Sequence, residues 1–466
     1  MTATTGAQDV IIGGGLAGLS CARTLGGGFT LLEAEQRLGG LCRTDQDRGY
    51  SFDWTGHWLH ARDPEMRALI EGRWLQGNLT TVARRALIHS QGRWTRFPYQ
   101  HHLFGLPADT IAECIEGFVE ATTGEAGRAL RERPLRDAAE FVRRNLGAGF
   151  ERHFMRPYNQ KLFTVPLEEL SPEWGGRFIP RPGLRELLRG ALAPPPAVEG
   201  AGYNATFWYP REGGIESLVR GLSADVAALP GRLRTGARVE SIDLARRRLR
   251  VANDGGPRGT GDLVDELAFE GLVLTLPLRT AAGLLADPPA AVAAAAGLLR
   301  AVPVTVVELG GPDAGGERFH WAYFPEERFP FYRIGSPSEV NHGLAPAGCR
   351  SFAVEFAHRG PADHAQLIAQ AVEALAALGL VDPARLPIRR ARTIPTAYVL
   401  FDQQHAAARQ TVLDHFAAYG VQVAGRYGRW EYSSMEDALL TGRDAAHALR
   451  STPSTAAPAQ PRADGR

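Results

Sequence analysis

Val10-Ile11-Ile12-Gly13-Gly14-Gly15-Leu16-Ala17-Gly18-Leu19-Ser20 decides how this chain folds. A short apolar run stops at a glycine cluster and gives way to small residues at helical spacing. The pattern predicts a buried strand, a tight turn and a helix aimed N-terminus first at a ligand. Gly13 would make the turn, Gly15 would let a pyrophosphate approach the backbone, and Gly18 would let helix and strand pack closely. Free N–H groups and the partial positive charge of the helix N-terminus would then face the phosphates. A glycine fingerprint alone carries little weight in a chain with 53 glycines, so its context matters. Phe29-Thr30-Leu31-Leu32 reads as a second strand and ends at Glu33, about 20 positions after Gly13. That is where the ribose-binding carboxylate of a dinucleotide site belongs.

Glu33-Ala34-Glu35-Gln36-Arg37-Leu38-Gly39-Gly40-Leu41-Cys42-Arg43-Thr44 follows directly. It resembles the glutathione-reductase-type FAD domain used by amine oxidases, protoporphyrinogen oxidases and UDP-galactopyranose mutases. In that group an Arg-x-Gly-Gly loop wraps the FAD pyrophosphate. The resemblance implies tightly bound FAD, with Arg37, Gly39 and Gly40 among the residues that hold it. No second glycine fingerprint stands between a strand and a helix to form a separate nicotinamide domain.

Composition sets outer bounds. With 466 residues, 44% of them apolar and 22% charged, the chain reads as a soluble globular enzyme of two or three domains. A formal net charge of +1 argues against nucleic acid as the main partner. No apolar run reaches about 18 residues, so no membrane span is expected. Met1 to Gln8 lacks the basic and apolar regions of a signal peptide. Cys21, Cys42, Cys114 and Cys349 form no CxxC pair and no disulfide framework. No metal is expected, the cytoplasm is the expected compartment, and a homo-oligomer is left open. Of the 52 basic residues only Lys161 is lysine.

Taken in order, Gly49-Tyr50-Ser51-Phe52-Asp53-Trp54-Thr55-Gly56-His57 reads as a strand returning towards the nucleotide, then a turn. His57 either faces the cofactor or sits in the core. Residues 86–100 read as a hairpin turned at Gln91-Gly92, and 107–190 as mostly helical. Pro157 is expected to end or kink a helix, leaving Tyr158, Asn159 and Lys161 on a turn. Residues 194–202 read as a linker. The expected fold class is α/β. A discontinuous Rossmann FAD domain is drawn from 9–85, 203–285 and 415–450. A mainly helical substrate unit takes 86–202, and an antiparallel-sheet substrate unit takes 286–414. Residues 1–8 and 451–466 read as disordered ends.

Five clustered motifs then follow in one order: Arg156-Pro157-Tyr158-Asn159; Trp174 with Arg177; Asn204-Ala205-Thr206-Phe207; Tyr323-Phe324-Pro325-Glu326 with Phe331-Tyr332-Arg333; and Gly425-Arg426-Tyr427-Gly428-Arg429-Trp430-Glu431-Tyr432. Together they resemble the UDP-galactopyranose mutases, particularly the longer eukaryotic-type branch. The resemblance implies an isomerase that interconverts pyranose and furanose forms of a UDP-sugar, UDP-galactose, for cell-wall or glycan synthesis. In that family N5 of reduced flavin attacks the anomeric carbon and displaces the nucleoside diphosphate. The FAD must therefore be reduced, with NADPH or NADH as the external reductant.

By the same resemblance Arg177 and Arg333 clamp the leaving diphosphate, a task that suits the planar guanidinium fork. His57 stands beside the flavin. Tyr323, Tyr398 and Tyr432 donate further hydrogen bonds, while Trp321, Asn159 and Phe163 surround the base and its ribose. Tyr158 and Lys161 share that substrate segment, and Gly425 with Arg426 offers a second backbone approach to the cofactor. Four departures bear on the substrate. Phe163 replaces a tryptophan, Thr55-Gly56-His57 replaces two glycines and a histidine, and Val399 replaces a proline. Ser433 to Asp437 replaces a run with asparagine and glutamine. The clamp is untouched; the sugar and the base are not settled. An oxidase or desaturase of the amine oxidase or protoporphyrinogen oxidase type shares the FAD fingerprints and is the alternative. A flavin-binding scaffold without turnover is the third reading.

Overall fold

The structure, a computed structural model, describes residues 8–175, 179–194, 205–253 and 263–451. The Gln8–Ile12 strand lies inside a seven-stranded sheet, between Phe29–Leu32 and Leu263–Leu274 and parallel to both. Arg232–Arg234 and Gln422–Val423 extend the parallel pairing. Every residue of Phe29–Leu32 is buried, as a parallel strand covered on both faces requires. Leu263–Leu274 also continues into an antiparallel meander with Arg248–Asn253 and Ala237–Asp243. The expected meander and the expected buried strand are thus parts of one sheet.

The helix Leu16–Leu25 follows the first strand and stops at Gly26, whose left-handed φ of 69° returns its N–H to the Ala22 carbonyl. It packs on the C-terminal helix Met435–Ser451 at very close range. A Cβ on Gly442 would lie 2.1 Å from the Ala17 carbonyl oxygen, and the Ser20 hydroxyl donates to the Leu439 carbonyl at 2.7 Å. Gln8 opens the first strand and Ser451 closes the last helix, so both belong to ordered elements rather than to the expected disordered ends. The rest of those ends, and residues 195–204 of the expected linker, lie outside the described residues.

A second seven-stranded sheet runs Ile388–Val399, Ala301–Pro312, Cys349–Ala357, Arg333–Gly335, Trp321–Tyr323, Ala86–Ser90, Arg93–Arg96. It departs from a purely antiparallel sheet, because Trp321–Tyr323 pairs parallel with Ala86–Ser90. The 86–96 hairpin, read with the helical unit, forms the edge of this sheet. Its turn residues Gln91 and Gly92 both take positive φ, 52° and 75°, as a two-residue hairpin turn demands. Ala290–Leu298 and most of His405–Ala418, read with the sheet unit, pack with the first sheet instead. Their Val292, Val412 and Phe416 share a core with Leu249, Val251 and Leu272.

One local expectation is corrected. Pro157 does not leave its neighbours on a turn; Arg156–Phe163 is a helix that begins directly after a π-helical turn at Glu151–Met155. The backbone ahead of Pro157 is already helical, and the π turn, in which the Arg156 N–H bonds the Glu151 carbonyl, carries the helix through the proline. Tyr158, Asn159 and Lys161 therefore project from a helix. That helix packs on the second sheet, with Phe154, Tyr158 and Phe163 in one core with Val304, Val306 and Ile394.

Candidate active site

The glycine turn and the Gly39-Gly40 loop form a cradle. Gly13, at a φ of +106°, donates its N–H to the Leu32 carbonyl at 2.8 Å. The Gly39 N–H reaches the Gly14 carbonyl at 2.8 Å, tying the two loops together. A Cβ on Gly18 would sit 1.9 Å from the Gly13 oxygen, so only glycine closes the turn onto the helix. Gly15 and Gly40 face each other, and a Cβ on Gly40 would come within 3.4 Å of the Gly15 Cα. Glu33 accepts from the Gly14 N–H at 2.7 Å and the Glu35 N–H at 2.8 Å, which holds its carboxylate at the end of the second strand. Gly425, at a φ of +82°, brings a further backbone turn up to Ala17 on the fingerprint helix.

Beside the cradle the two sheets and the Arg156–Phe163 helix bring most of the expected substrate residues together. Arg333 pairs with Glu355 at 2.7 Å and lies over the Trp321 ring, 4.5 Å from its centroid. Trp321 stacks on Trp58 at 3.4 Å, and Trp58 on Phe207 at 4.2 Å. Arg333 Nη2 stands 3.4 Å from the Tyr398 hydroxyl. Tyr398 lies parallel to Tyr432 at 6.5 Å, and Arg426 sits 4.4 Å over the Tyr432 ring. Tyr158 meets Tyr323 edge-on at 5.6 Å, and Phe163 meets Tyr398 at 6.3 Å. Burial opposes the charge on Arg333, but the Glu355 carboxylate together with Tyr398, Tyr332 and Tyr323 outweighs it and holds the guanidinium above its ordinary range. Burial likewise pushes the Tyr398 hydroxyl up to about 12 and Tyr158 well up, so both stay neutral donors.

His57 reports the charge of this cluster. Its Nδ1–H donates to the Thr55 carbonyl at 3.0 Å, leaving Nε2 as the acceptor. Burial pulls it down to about 4 against that hydrogen bond, and repulsion from Arg426 and Arg333 adds to the shift. It is a neutral imidazole facing two cations.

Three expected site residues have partners within the chain. The Arg37 guanidinium is held by Glu216 at 2.8 Å and Asp45 at 3.0 Å. Asn159 spends its amide on the Met155 carbonyl at 2.7 Å, one helical turn back. Lys161 gives its ammonium to three main-chain carbonyls of the 324–332 loop rather than to the cleft. Arg177, the other expected arm of the clamp, lies outside the described residues.

Four residues of the site went unread in the sequence. Glu355 interrupts the apolar run Phe352-Ala353-Val354, and an acid in a buried strand is itself a signal of a paired charge. Arg84 lies near the Phe97 and Trp321 rings at 5.0 and 5.9 Å, with its Nε buried and without a partner. Thr275 hydrogen-bonds the Ile12 and Gly13 carbonyls at 2.9 and 3.1 Å and so holds the fingerprint turn. Asp53 accepts from the Thr44 and Tyr209 hydroxyls, both at 2.6 Å, behind His57.

Residues 16–450 match the family of flavin containing amine oxidoreductases. This chain belongs to that family. Coproporphyrinogen III oxidases from Mycobacterium tuberculosis and Mycobacterium bovis are 33% identical over 120 residues, 24% of this chain. The chain matches 26% of the length of these curated relatives. Among solved structures, a reduced UDP-galactopyranose mutase superposes with a TM-score of 0.84 at 23% identity, covering 97% of each chain. A candidate protoporphyrinogen oxidase from Exiguobacterium sp. 255-15 gives 0.70 at 16% identity, covering 96% of this chain and 99% of its own. Putrescine oxidase bound to putrescine gives 0.60 at 15%, with coverage of 96% and 99%. At these identities the likenesses establish the α/β fold of FAD-dependent amine oxidases and mutases.

Family membership implies FAD, and the residues present fit it. The Gly15–Gly40 gap leaves room for a pyrophosphate that a Cβ would narrow, and Glu33 stands where a ribose hydroxyl can be bound. The Arg426 Nε is buried without a partner, as a donor awaiting an acceptor would be. Among the described residues no helix is long and apolar enough to cross a membrane, and no cluster of side chains could hold a metal ion.

Proposed function

We propose that this chain is a flavin-dependent nucleotide-sugar mutase that interconverts the pyranose and furanose forms of a UDP-sugar, UDP-galactose first among them. One observation carries the reading: Arg333 and Arg426 stand near a His57 that burial, aided by their charge, keeps neutral, with the Tyr398 and Tyr432 rings alongside. A cationic, aromatic, partly buried cluster stabilises a departing diphosphate and repels an ammonium substrate.

Reduced FAD, held by the two glycine loops, supplies a nucleophilic nitrogen at N5. The chain's own residues do the rest. Arg333 is oriented by Glu355 and Trp321, and with the Tyr398 hydroxyl it offers donors to phosphate oxygens. Each donor aimed at developing charge in a water-poor site is worth roughly 2.7–4 kcal/mol. His57 Nε2 accepts a hydrogen bond from a sugar hydroxyl while Nδ1 keeps its proton on the Thr55 carbonyl. Arg177 completes the proposed clamp from outside the described residues. NADPH or NADH is the proposed reductant.

The deciding experiment is anaerobic incubation of the FAD-loaded protein with UDP-galactofuranose, with and without dithionite, followed by chromatographic separation of the ring forms. Conversion only after reduction supports the mutase. No conversion with flavin bound and reduced sinks it for this sugar. The local identity to coproporphyrinogen III oxidases favours a second reading, an oxidase of a hydrophobic polycycle. Oxygen uptake with a porphyrinogen would then be the signal.

A further inference from the structure

In this chain arginine has taken every basic position except one. The exception, Lys161, projects from the last turn of the Arg156–Phe163 helix. Its Nζ lies 2.8 Å from the Phe324 carbonyl oxygen, 2.6 Å from that of Glu326 and 3.3 Å from that of Phe331. No carboxylate among the described residues lies within ion-pairing distance of it, so the backbone alone replaces its water. An ammonium presents three donors from one compact centre, whereas a guanidinium spreads its donors across a plane. Three oxygens converging on a point suit the first geometry and not the second. Burial pulls the amine down to about 7, while Glu326 and Glu327 favour its charge.

The three carbonyls all belong to the loop that joins Trp321–Tyr323 to Arg333–Gly335. Tyr323 and Arg333 are paired across those two strands, at the end where the loop begins. The same helix touches both flanks of the loop, since Tyr158 packs edge-on against Tyr323 and Tyr332 at 5.6 and 6.3 Å.

We propose that Lys161 is a positioning residue of the candidate site: by gathering the carbonyls of Phe324, Glu326 and Phe331 it pins the loop end of the paired strands to the Arg156–Phe163 helix, and so fixes where Tyr323 and Arg333 stand relative to Tyr158. The proposal rests on the reading that this cleft binds a nucleoside diphosphate.

The test uses the FAD-loaded full chain with Lys161→Met and Lys161→Arg. Two quantities are measured: tryptic cleavage after the exposed Arg328 in the loop, by mass spectrometry, and UDP affinity, by calorimetry. Loss of three charge-assisted hydrogen bonds should speed that cleavage and weaken UDP each by at least about 10-fold in both variants, with FAD content unchanged. Wild-type behaviour in either variant overturns the proposal, and so does faster cleavage with unchanged UDP affinity. If the wild-type chain fails to bind UDP, the diphosphate reading falls by itself. Cleavage then still decides whether Lys161 holds the loop. Should neither variant fold, acetic anhydride can be used on the wild-type holoprotein, where Lys161 is the one side-chain amine. Saturating UDP should slow its acetylation; equal rates with and without UDP would count against a link between amine and cleft.

Discussion

Arg333 and Glu355 stand directly opposite each other on neighbouring antiparallel strands and form a buried, two-pronged ion pair. Nη2 lies 2.8 Å from Oε1 and 2.7 Å from Oε2, and Nε lies 3.1 Å from Oε2. The Tyr332 hydroxyl donates to the same carboxylate. Arg333 is therefore an oriented, partly neutralised cation, not a free anion receptor.

Removing one partner strands the other. Arg333→Ala should lose UDP affinity and also destabilise the fold by about 3–5 kcal/mol, the cost of an uncompensated buried charge. Glu355→Gln should be destabilised too, yet bind UDP more tightly because the guanidinium is less neutralised. Denaturant unfolding and UDP titration check both. Wild-type stability in Arg333→Ala would contradict the buried pairing.

His57 and Asp53 make opposite contributions to stability over one pH window. His57 drops from 6.5 unfolded to about 4 folded, chiefly through burial. The unfolded chain then binds the extra proton, so this contribution is present above about 6.5 and lost as pH falls towards 4. Burial pushes Asp53 from 3.8 up to about 6. There the folded chain binds the extra proton, so stability falls as pH rises from about 4 to 6. Each effect is on the order of 3 kcal/mol and they largely cancel. His57→Gln should unmask a fall in stability with rising pH, and Asp53→Asn a rise. Unfolding curves from pH 4 to 7 read the two slopes, and equal slopes in wild type and variants would refute the pair of assignments.

UDP should also be taken up with protons at acid pH. A bound diphosphate offsets the repulsion that Arg426 and Arg333 exert on His57, which raises its affinity for a proton. Calorimetry in buffers of different ionisation enthalpy should show net proton uptake near pH 5 and none near pH 8. Uptake that survives in His57→Gln would assign it to another group.

The two inner glycines of the fingerprint should fail differently. In Gly18→Ala the Cβ meets the Gly13 oxygen at 1.9 Å, so the apoprotein itself should be destabilised by about 1–3 kcal/mol. In Gly15→Ala the new atom meets only the Gly40 Cα at 3.9 Å, and the residue's φ of −77° suits alanine. That variant should melt like wild type without FAD and yet retain little FAD. Melting of the apoproteins and flavin content after purification separate the two.

How much was legible beforehand varies with the range of the interaction. The Gly13 to Gly18 turn, Glu33 at the end of the second strand and the Gln91-Gly92 hairpin could be read because neighbouring residues impose each of them. The gathering of Tyr158, Tyr323, Arg333, Tyr398 and Arg426 was expected only through motif resemblance, since five segments from different elements meet there. Nothing near Arg37 in sequence announces that Glu216 will pair with its guanidinium. The Pro157 segment was misjudged because the π-helical turn ahead of it leaves no sequence signature of its own.

By itself, then, the sequence determined the dinucleotide turn and the strand–helix framework around it. Backbone dihedrals, missing Cβ atoms and apolar spacing are local properties, written in adjacent residues. Only the tertiary structure decided where the charges are spent: Arg333 on Glu355, Arg37 on Glu216 and Asp45, Lys161 on three carbonyls. An ion pair or hydrogen bond is settled over about 3 Å, between strands and helices whose meeting no local pattern encodes.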